Sequence, residues 1–161
     1  MDEVERIGIR LAIEDLNTAF TYCLDHDRVD ELAALFTHDA IYTHGERRSN
    51  GREAIHELFY NRLAAGARTA RHLYSGLRVT IESAELARGE SVCLTFAADE
   101  LPPISPATPY LVADFSDLYV LCPDHRWRIK HRQISRIFVG ESNAGPIGSE
   151  RQRPATPTDR S

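Results

Sequence analysis

The sequence has no long apolar run, few cysteines and no excess of basic residues. A membrane-spanning helix needs about 20 consecutive apolar residues, and no stretch of this 161-residue chain provides them. The opening residues, MDEVERIG, are acidic where a secretory signal peptide is basic and then apolar, so we expect a cytoplasmic protein. The formal charge of −5 and the scattered arginines exclude a basic surface for nucleic acid.

Motifs for metal, phosphate and nucleophilic chemistry are absent as well. Cys23, Cys93 and Cys122 are far apart and lie mostly in apolar stretches, which is typical of reduced core thiols rather than of a zinc site. The chain has no His-x-x-x-His, HExxH or Cys-x-x-Cys pattern, no glycine-rich phosphate loop and no GxSxG elbow. We therefore predict neither a metal nor a cofactor.

The first half of the chain shows helical periodicity. With 42% apolar and 27% charged residues, the composition is that of a single soluble domain. An apolar stripe from Ile9 to Cys23 predicts a first helix that ends near Leu24. A short second helix, a strand at AIYTH and a third helix that ends near Gly66 are predicted to follow. Asp27 and the pair Asn50 and Glu53 are predicted caps of the second and third helices.

Beyond Gly66 the period changes to the alternation of half-buried strands. Leu77, Val79 and Ile81 alternate with polar residues, and further strands are predicted at 91–98, 110–121 and 127–138. Helices followed by such a meander predict an α+β fold, in which a curved, cone-shaped antiparallel sheet has three helices packed over its concave face. We expect a ligand pocket in the mouth of the cone. Residues 1–140 form the predicted domain, and the Gly- and Pro-rich residues 141–161 form a predicted flexible tail.

Three segments carry a resemblance to a known family. They are YCLDHDRVDELAALFTHDAIYTHG, NGREAIHELF and the late RWRIKHRQI. Together they resemble the SnoaL-like branch of the cone-shaped nuclear transport factor two superfamily, over roughly residues 5–138. Asp25 and His72 are similar to the catalytic dyad of the scytalone dehydratase and hexachlorocyclohexane dehydrochlorinase group. His44 falls where the more distant ketosteroid isomerases carry a proton-shuttling aspartate, so its residue type differs.

The candidate site is built around a carboxylate and an imidazole. Asp25 and His72 would form a proton-transfer pair if the fold brings them together, although Asp25 could instead be a solvated helix end. Candidate substrate-binding residues, chosen for helix or strand faces that could reach the same cavity, are Tyr22, Tyr42, His44 and His131. Arg132 and Arg136 have the opposite strand parity to His131 unless a bulge intervenes, and we expect them to face solvent or an oligomer contact.

These residues lead to two alternative functions. The first is a cofactor-free lyase or isomerase, dehydratase-like, which acts on a small apolar cyclic substrate such as a steroid or polyketide-like compound. The second is a non-catalytic ligand-binding or assembly module, similar to the small subunits of aromatic-ring dioxygenases. Epoxide hydrolysis, which uses an Asp, Arg, Asp set in this superfamily, has no convincing central arginine here. Under either function we expect a homo-oligomer, either a dimer or a trimer.

Overall fold

Three helices and six strands form the protein in a computed structural model that describes residues 1–140. The predicted tail at 141–161 lies outside these residues. The elements are α1 (Glu3–Asp25), α2 (Val29–Ala34), β1 (Phe36–His44), β2 (Arg47–Asn50), α3 (Arg52–Ala64), β3 (Thr69–Ile81), β4 (Leu86–Ala98), β5 (Leu111–Leu121) and β6 (Trp127–Val139). Within the described part of the chain, no helix combines the length and the apolar composition needed to cross a membrane.

The six strands form one curved sheet in the order β2-β1-β6-β5-β4-β3. The predicted α+β class is confirmed, since the three helices belong to the first half of the chain and the long strands to the second. One pairing differs from an antiparallel meander. β1 runs parallel to β6, with Tyr42 opposite Arg132 and His44 opposite Ile134. This pairing connects the early strand to the last one, so side chains from both halves of the sequence share one sheet face.

Helix α1 buries the stripe that its periodicity predicted. Asp2 and Glu5 form a capping box at its start, and Ile13, Phe20 and Cys23 are buried along one side. An edge-to-face aromatic cluster packs beneath it, formed by the rings of Phe20, Phe36, Tyr42 and Phe59. The core therefore lies between the helices and the concave face of the sheet.

The predicted caps of α2 and α3 do not form. Asp27 adopts a left-handed backbone conformation, with φ of 56°, and its carboxylate accepts a hydrogen bond of 2.8 Å from Arg62 instead. α3 begins after Gly51, whose φ of 88° favours glycine, and no side chain caps it. Asn50 is the last residue of β2, and its amide oxygen accepts a hydrogen bond from Nε of Arg48, so Gly51 occupies the N-cap position instead. Neither predicted capping hydrogen bond is formed, because both side chains make other contacts in the folded protein.

A β-bulge in β6 decides which side chains point into the cone. Leu118 of β5 is opposite His131 and Tyr119 is opposite Ile129, which leaves Lys130 as an extra residue. The bulge reverses the alternation that follows it, so Arg132 faces inward beside Asp117. The predicted inward position of His131 is therefore wrong, and so is the predicted exposure of Arg132, which is 0% accessible.

Candidate active site

The structure brings Asp25 and His72 into direct contact. Asp25 is the last residue of α1, and His72 is the fourth residue of β3, the strand against which α1 packs. The Nδ1 atom of His72 lies 2.5 Å from Oδ1 of Asp25, and the backbone N–H of His72 donates to Oδ2 at 2.9 Å. Because α1 ends at Asp25, its side chain is free to turn from the solvent side of the helix towards the sheet.

Both groups of this pair are largely removed from water. The side chains of Asp25 and His72 are 8% and 14% exposed. A carboxylate acceptor at Nδ1 holds the proton of a neutral imidazole on that nitrogen, which leaves Nε2 as the basic atom. Within residues 1–140, Nε2 of His72 makes no hydrogen bond. The pair thus has the geometry of an oriented general base.

Of the predicted substrate-binding residues, Tyr42 and His44 lie on the inner face. Tyr42 is 3% exposed, and burial raises the pKa of its hydroxyl to about 12. His44 is 9% exposed, and its charge would interact directly with that of His72. Burial, followed by the charges of Arg136 and Arg47, lowers the pKa of His44 to about 4. His44 is therefore neutral near pH 7 and serves as a hydrogen-bonding group rather than as a cation.

The other two predicted residues do not reach the pair. Tyr22 is 49% exposed, and its ring stacks on His26 with centroids 4.2 Å apart, on the solvent side of α1. His131 shares the outer sheet face with its partners Ile41 and Leu118. The structure therefore separates both side chains from Asp25 and His72.

Sequence reasoning missed a buried ionic network next to the candidate site. Arg132 donates to both carboxylate oxygens of Asp117, at 2.9 and 2.7 Å, and also to the amide oxygen of Asn17. The hydroxyl of Tyr119 donates to Asp117 at 2.6 Å and accepts from Asn17 at 2.8 Å. Burial disfavours the charged guanidinium, but Asp117 outweighs this effect and the pKa of Arg132 is raised. A β-bulge leaves no clear sequence pattern, so nothing in RIKHRQI indicated that the arginine faces inward.

Several buried polar atoms on the inner face lack a hydrogen-bond partner. They include Nδ1 of His44, Nε of Arg47 and Nη1 of Arg132. The hydroxyls of Tyr74 and Ser91 lie near each other, but neither makes a hydrogen bond of ordinary geometry. An unsatisfied buried polar group costs about 1–3 kcal/mol. A ligand with polar groups would satisfy them, which is a common property of binding sites.

An open pocket of about 680 Å³ lies beside the pair rather than around it. The proline-rich loop between β4 and β5 covers it, and its walls include Ala70 and Arg71, which directly precede His72. Asp25 and His72 do not line it. Its volume matches that of a site for a small organic molecule. Within residues 1–140, no group of three or more His, Cys, Asp or Glu side chains could hold a metal ion.

The lowered pKa of His44 gives a testable dependence of stability on pH. Between about pH 6.5 and pH 4, His44 is protonated in the unfolded chain but remains neutral in the folded protein. The unfolded state then binds more protons, so stability falls as the pH is lowered through this window. We expect His44→Gln to reduce this loss, as measured by urea unfolding at both ends of the window. His38→Gln, at an 82% exposed side chain, is the control and should match wild type; equal pH dependence in all three proteins would contradict the burial of His44.

Comparison with solved structures shows that the fold of this chain is a known one. The "Putative Scytalone Dehydratase" of Novosphingobium aromaticivorans is similar with a TM-score of 0.75 and 24% identity, over 92% of this chain and 99% of its own. The structure named LinA has a TM-score of 0.73 and 24% identity, over 91% and 100% of the two chains. A protein from Catenulispora acidiphila in complex with S-DNPA has a TM-score of 0.70 and 18% identity, over 81% and 94%.

Identities this low establish a shared fold and no shared reaction. No curated protein sequence matches the chain. The family model of the SnoaL-like domain matches residues 5–133. This range includes α1 from its third residue onward, the whole of β3 with His72, and β6 as far as Gln133. Since this match spans most of the chain, the protein belongs to the SnoaL-like domain family.

Proposed function

We propose that the protein is a cofactor-free lyase or isomerase that moves a proton on a small cyclic substrate, with Asp25 and His72 as its catalytic pair. The observation that carries this proposal is the 2.5 Å contact between the two side chains, both of which are largely buried. An exposed imidazole and carboxylate would be screened and mobile, whereas a buried pair holds one tautomer and one orientation. The family's fold and its dehydratase-named neighbour are consistent with this chemistry.

In the proposed reaction, Nε2 of His72 removes a proton from a carbon next to a carbonyl group. The electron pair of that C–H bond forms a carbon–carbon double bond, and the bond to a β-hydroxyl group breaks. The imidazolium that forms is stabilised by Asp25 and returns its proton to the departing hydroxyl, which leaves as water. No oxidant or reductant is needed. Without a leaving group, return of the proton to another carbon would give isomerisation.

Other residues on the inner face of the sheet would have different roles in this reaction. His44 is neutral near pH 7, since its pKa is about 4, so it is a poor proton donor to a leaving group and a good hydrogen-bond partner. Tyr42 keeps its proton because its pKa is about 12, and it forms an aromatic wall with Phe36 and Phe59. The Nη1 atom of Arg132 is buried and has no hydrogen-bond partner among residues 1–140. These surroundings favour a substrate with an apolar ring and a few oxygen atoms.

The first experiment is a screen of cyclic β-hydroxy ketones with the purified protein, in which loss of water is followed by mass spectrometry. A lyase should convert at least one compound faster than the buffer blank does. An assembly module of the alternative type would bind a protein partner through its sheet and convert none of them. The decisive variants of Asp25 and His72 are described in the Discussion.

We also propose that the protein forms a homo-oligomer through the outer face of its sheet. Leu73 pairs with Leu94, Leu94 with Val112 and Val112 with Phe138, so one apolar row crosses four strands. Leu73 and Phe138 are 52% and 69% exposed. A continuous apolar row at a surface is typical of a protein interface.

Phe138→Asp should convert the oligomer to a smaller species in size-exclusion chromatography with light scattering. A charge in the middle of an apolar contact must be desolvated without a partner, which disfavours association. Gln133→Asp is the matched control, because Gln133 is exposed on the same strand and face but pairs with Ser116 outside the row. A monomeric wild type, or equal effects of both variants, would contradict the interface.

A further inference from the structure

Three basic side chains meet where the turn between β1 and β2 lies against the end of β6. Nε of Arg136 donates to Nε2 of His44 at 3.3 Å. Arg47, at the start of β2, is close enough that its charge and that of Arg136 both act on His44 and on each other. We call His44, Arg47 and Arg136 the basic corner. It combines residues from three strands and is therefore a product of tertiary folding.

The basic corner offers hydrogen-bond donors and no acceptors. A guanidinium group can only donate, so Nε2 of His44 must be the acceptor in its contact with Arg136. The proton of the neutral imidazole is then on Nδ1. This Nδ1 and the Nε of Arg47 are both buried, and neither has a hydrogen-bond partner. His44 and Arg47 are register partners across β1 and β2. The two donors are thus left for an oxygen atom that residues 1–140 do not supply.

The basic corner also lacks a balancing negative charge. The two buried arginines are paired, since Arg62 contacts Asp27 and Arg132 contacts Asp117. Arg47 is half-buried and Arg136 is exposed. Among residues 1–140, no ion pair includes Arg47 or Arg136. Burial lowers the pKa of Arg47, and the charge of Arg136 acts in the same direction. The two neighbouring like charges repel each other, and an anion bound between them would replace this repulsion by attraction.

The basic corner lies within reach of the proposed catalytic pair. His44 and His72 are close enough that a charge on one imidazole would act on the other, so one small molecule on the inner face could contact both. We propose that the basic corner binds the carboxylate group of the substrate, and that the substrate is a ring-sized carboxylic acid. This inference rests on the proposed function, because it takes the inner face to be the substrate site. Guanidinium groups match the flat, two-oxygen geometry of a carboxylate.

The test compares cyclohexanecarboxylate with its neutral analogue cyclohexanecarboxamide by titration calorimetry. The full-length wild-type protein should bind the carboxylate at least about tenfold more tightly, a difference of about 1.4 kcal/mol. Arg47→Gln should remove this preference, so that carboxylate and amide bind with about equal affinity. Arg48→Gln is the matched control, since it deletes the same charge from the next residue, whose exposed side chain contacts Asn50 instead. It should behave as wild type.

The preference should also persist in His72→Ala, which separates this inference from the proposed reaction. If the wild-type protein turns over no substrate but prefers the carboxylate in a way that depends on Arg47, the result supports the basic corner and rejects the lyase. Equal affinity for carboxylate and amide in the wild type overturns the basic corner, whatever the fate of the lyase. The basic corner is also overturned if Arg47→Gln and Arg48→Gln lose equal amounts of the preference for the carboxylate. That result would show only a general effect of the protein's charge. Thermal melting of each variant should verify that Arg47→Gln is folded.

Discussion

Replacing His72 by alanine should reduce turnover by about a hundred- to ten-thousand-fold, the usual contribution of a positioned general base. The imidazole is the basic group, and its Nε2 is free because Asp25 holds Nδ1. Asp25→Asn should cause a loss of similar order. An amide has only one acceptor oxygen for the two donors that the carboxylate now receives, the Nδ1–H and the backbone N–H of His72. The measurement is the initial rate of water loss from the best substrate of the screen.

The chain offers a matched control for these two variants. His56 and Asp30 form a second imidazole and carboxylate pair, at 2.7 Å, but Asp30 is 96% exposed and His56 is 39% exposed. His56→Ala and Asp30→Asn remove the same chemical groups from the surface and should leave the rate unchanged. Undiminished turnover in folded His72→Ala would reject the proposed mechanism. Equal losses of rate in the variants of both pairs would indicate a general effect on folding.

Asp117→Ala should produce the largest loss of stability, about 3–5 kcal/mol, as expected when one partner of a buried ion pair is removed. Arg132 is fully buried, and its charge is balanced by Asp117 through two hydrogen bonds. Without that carboxylate, the guanidinium would remain inside the protein with Asn17 as its hydrogen-bond partner and the rings of Phe20 and Phe115 against its faces. Urea unfolding at neutral pH measures the change.

Two further variants test the reason for this loss. Tyr119→Phe removes only a hydroxyl that bonds to Asp117 and Asn17, so it should cost less, about 1–3 kcal/mol. Asp124→Ala breaks an arginine pair of similar geometry, with Arg128 at 2.7 Å, but at an exposed turn, and should change stability little. If Asp117→Ala were as mild as Asp124→Ala, burial would not be the source of the effect.

Local patterns in the sequence predicted the three helices and five of the six strands, but not β2 at Arg47–Asn50. The stripe of α1 and the alternation of β3 depend on one face being buried, which is a local property of each segment. Lengths were less well predicted: β3 begins at Thr69, well before the alternating residues at 77–81, because its pairing with β4 extends it. The caps of α2 and α3 were predicted wrongly, because the carboxylate of Asp27 binds the distant Arg62 and the strand β2 extends through Asn50.

The sequence by itself determined the fold class and the two residues of the candidate pair. Periodic burial and turn residues act over a few positions and can be read locally, and the family resemblance added the link between Asp25 and His72. Only the tertiary structure decided which side chains enter the cone. The bulge at Lys130 and the parallel pairing of β1 with β6 depend on how distant strands align. A shift of one residue reverses every side chain beyond it, which placed Arg132 inside and His131 outside.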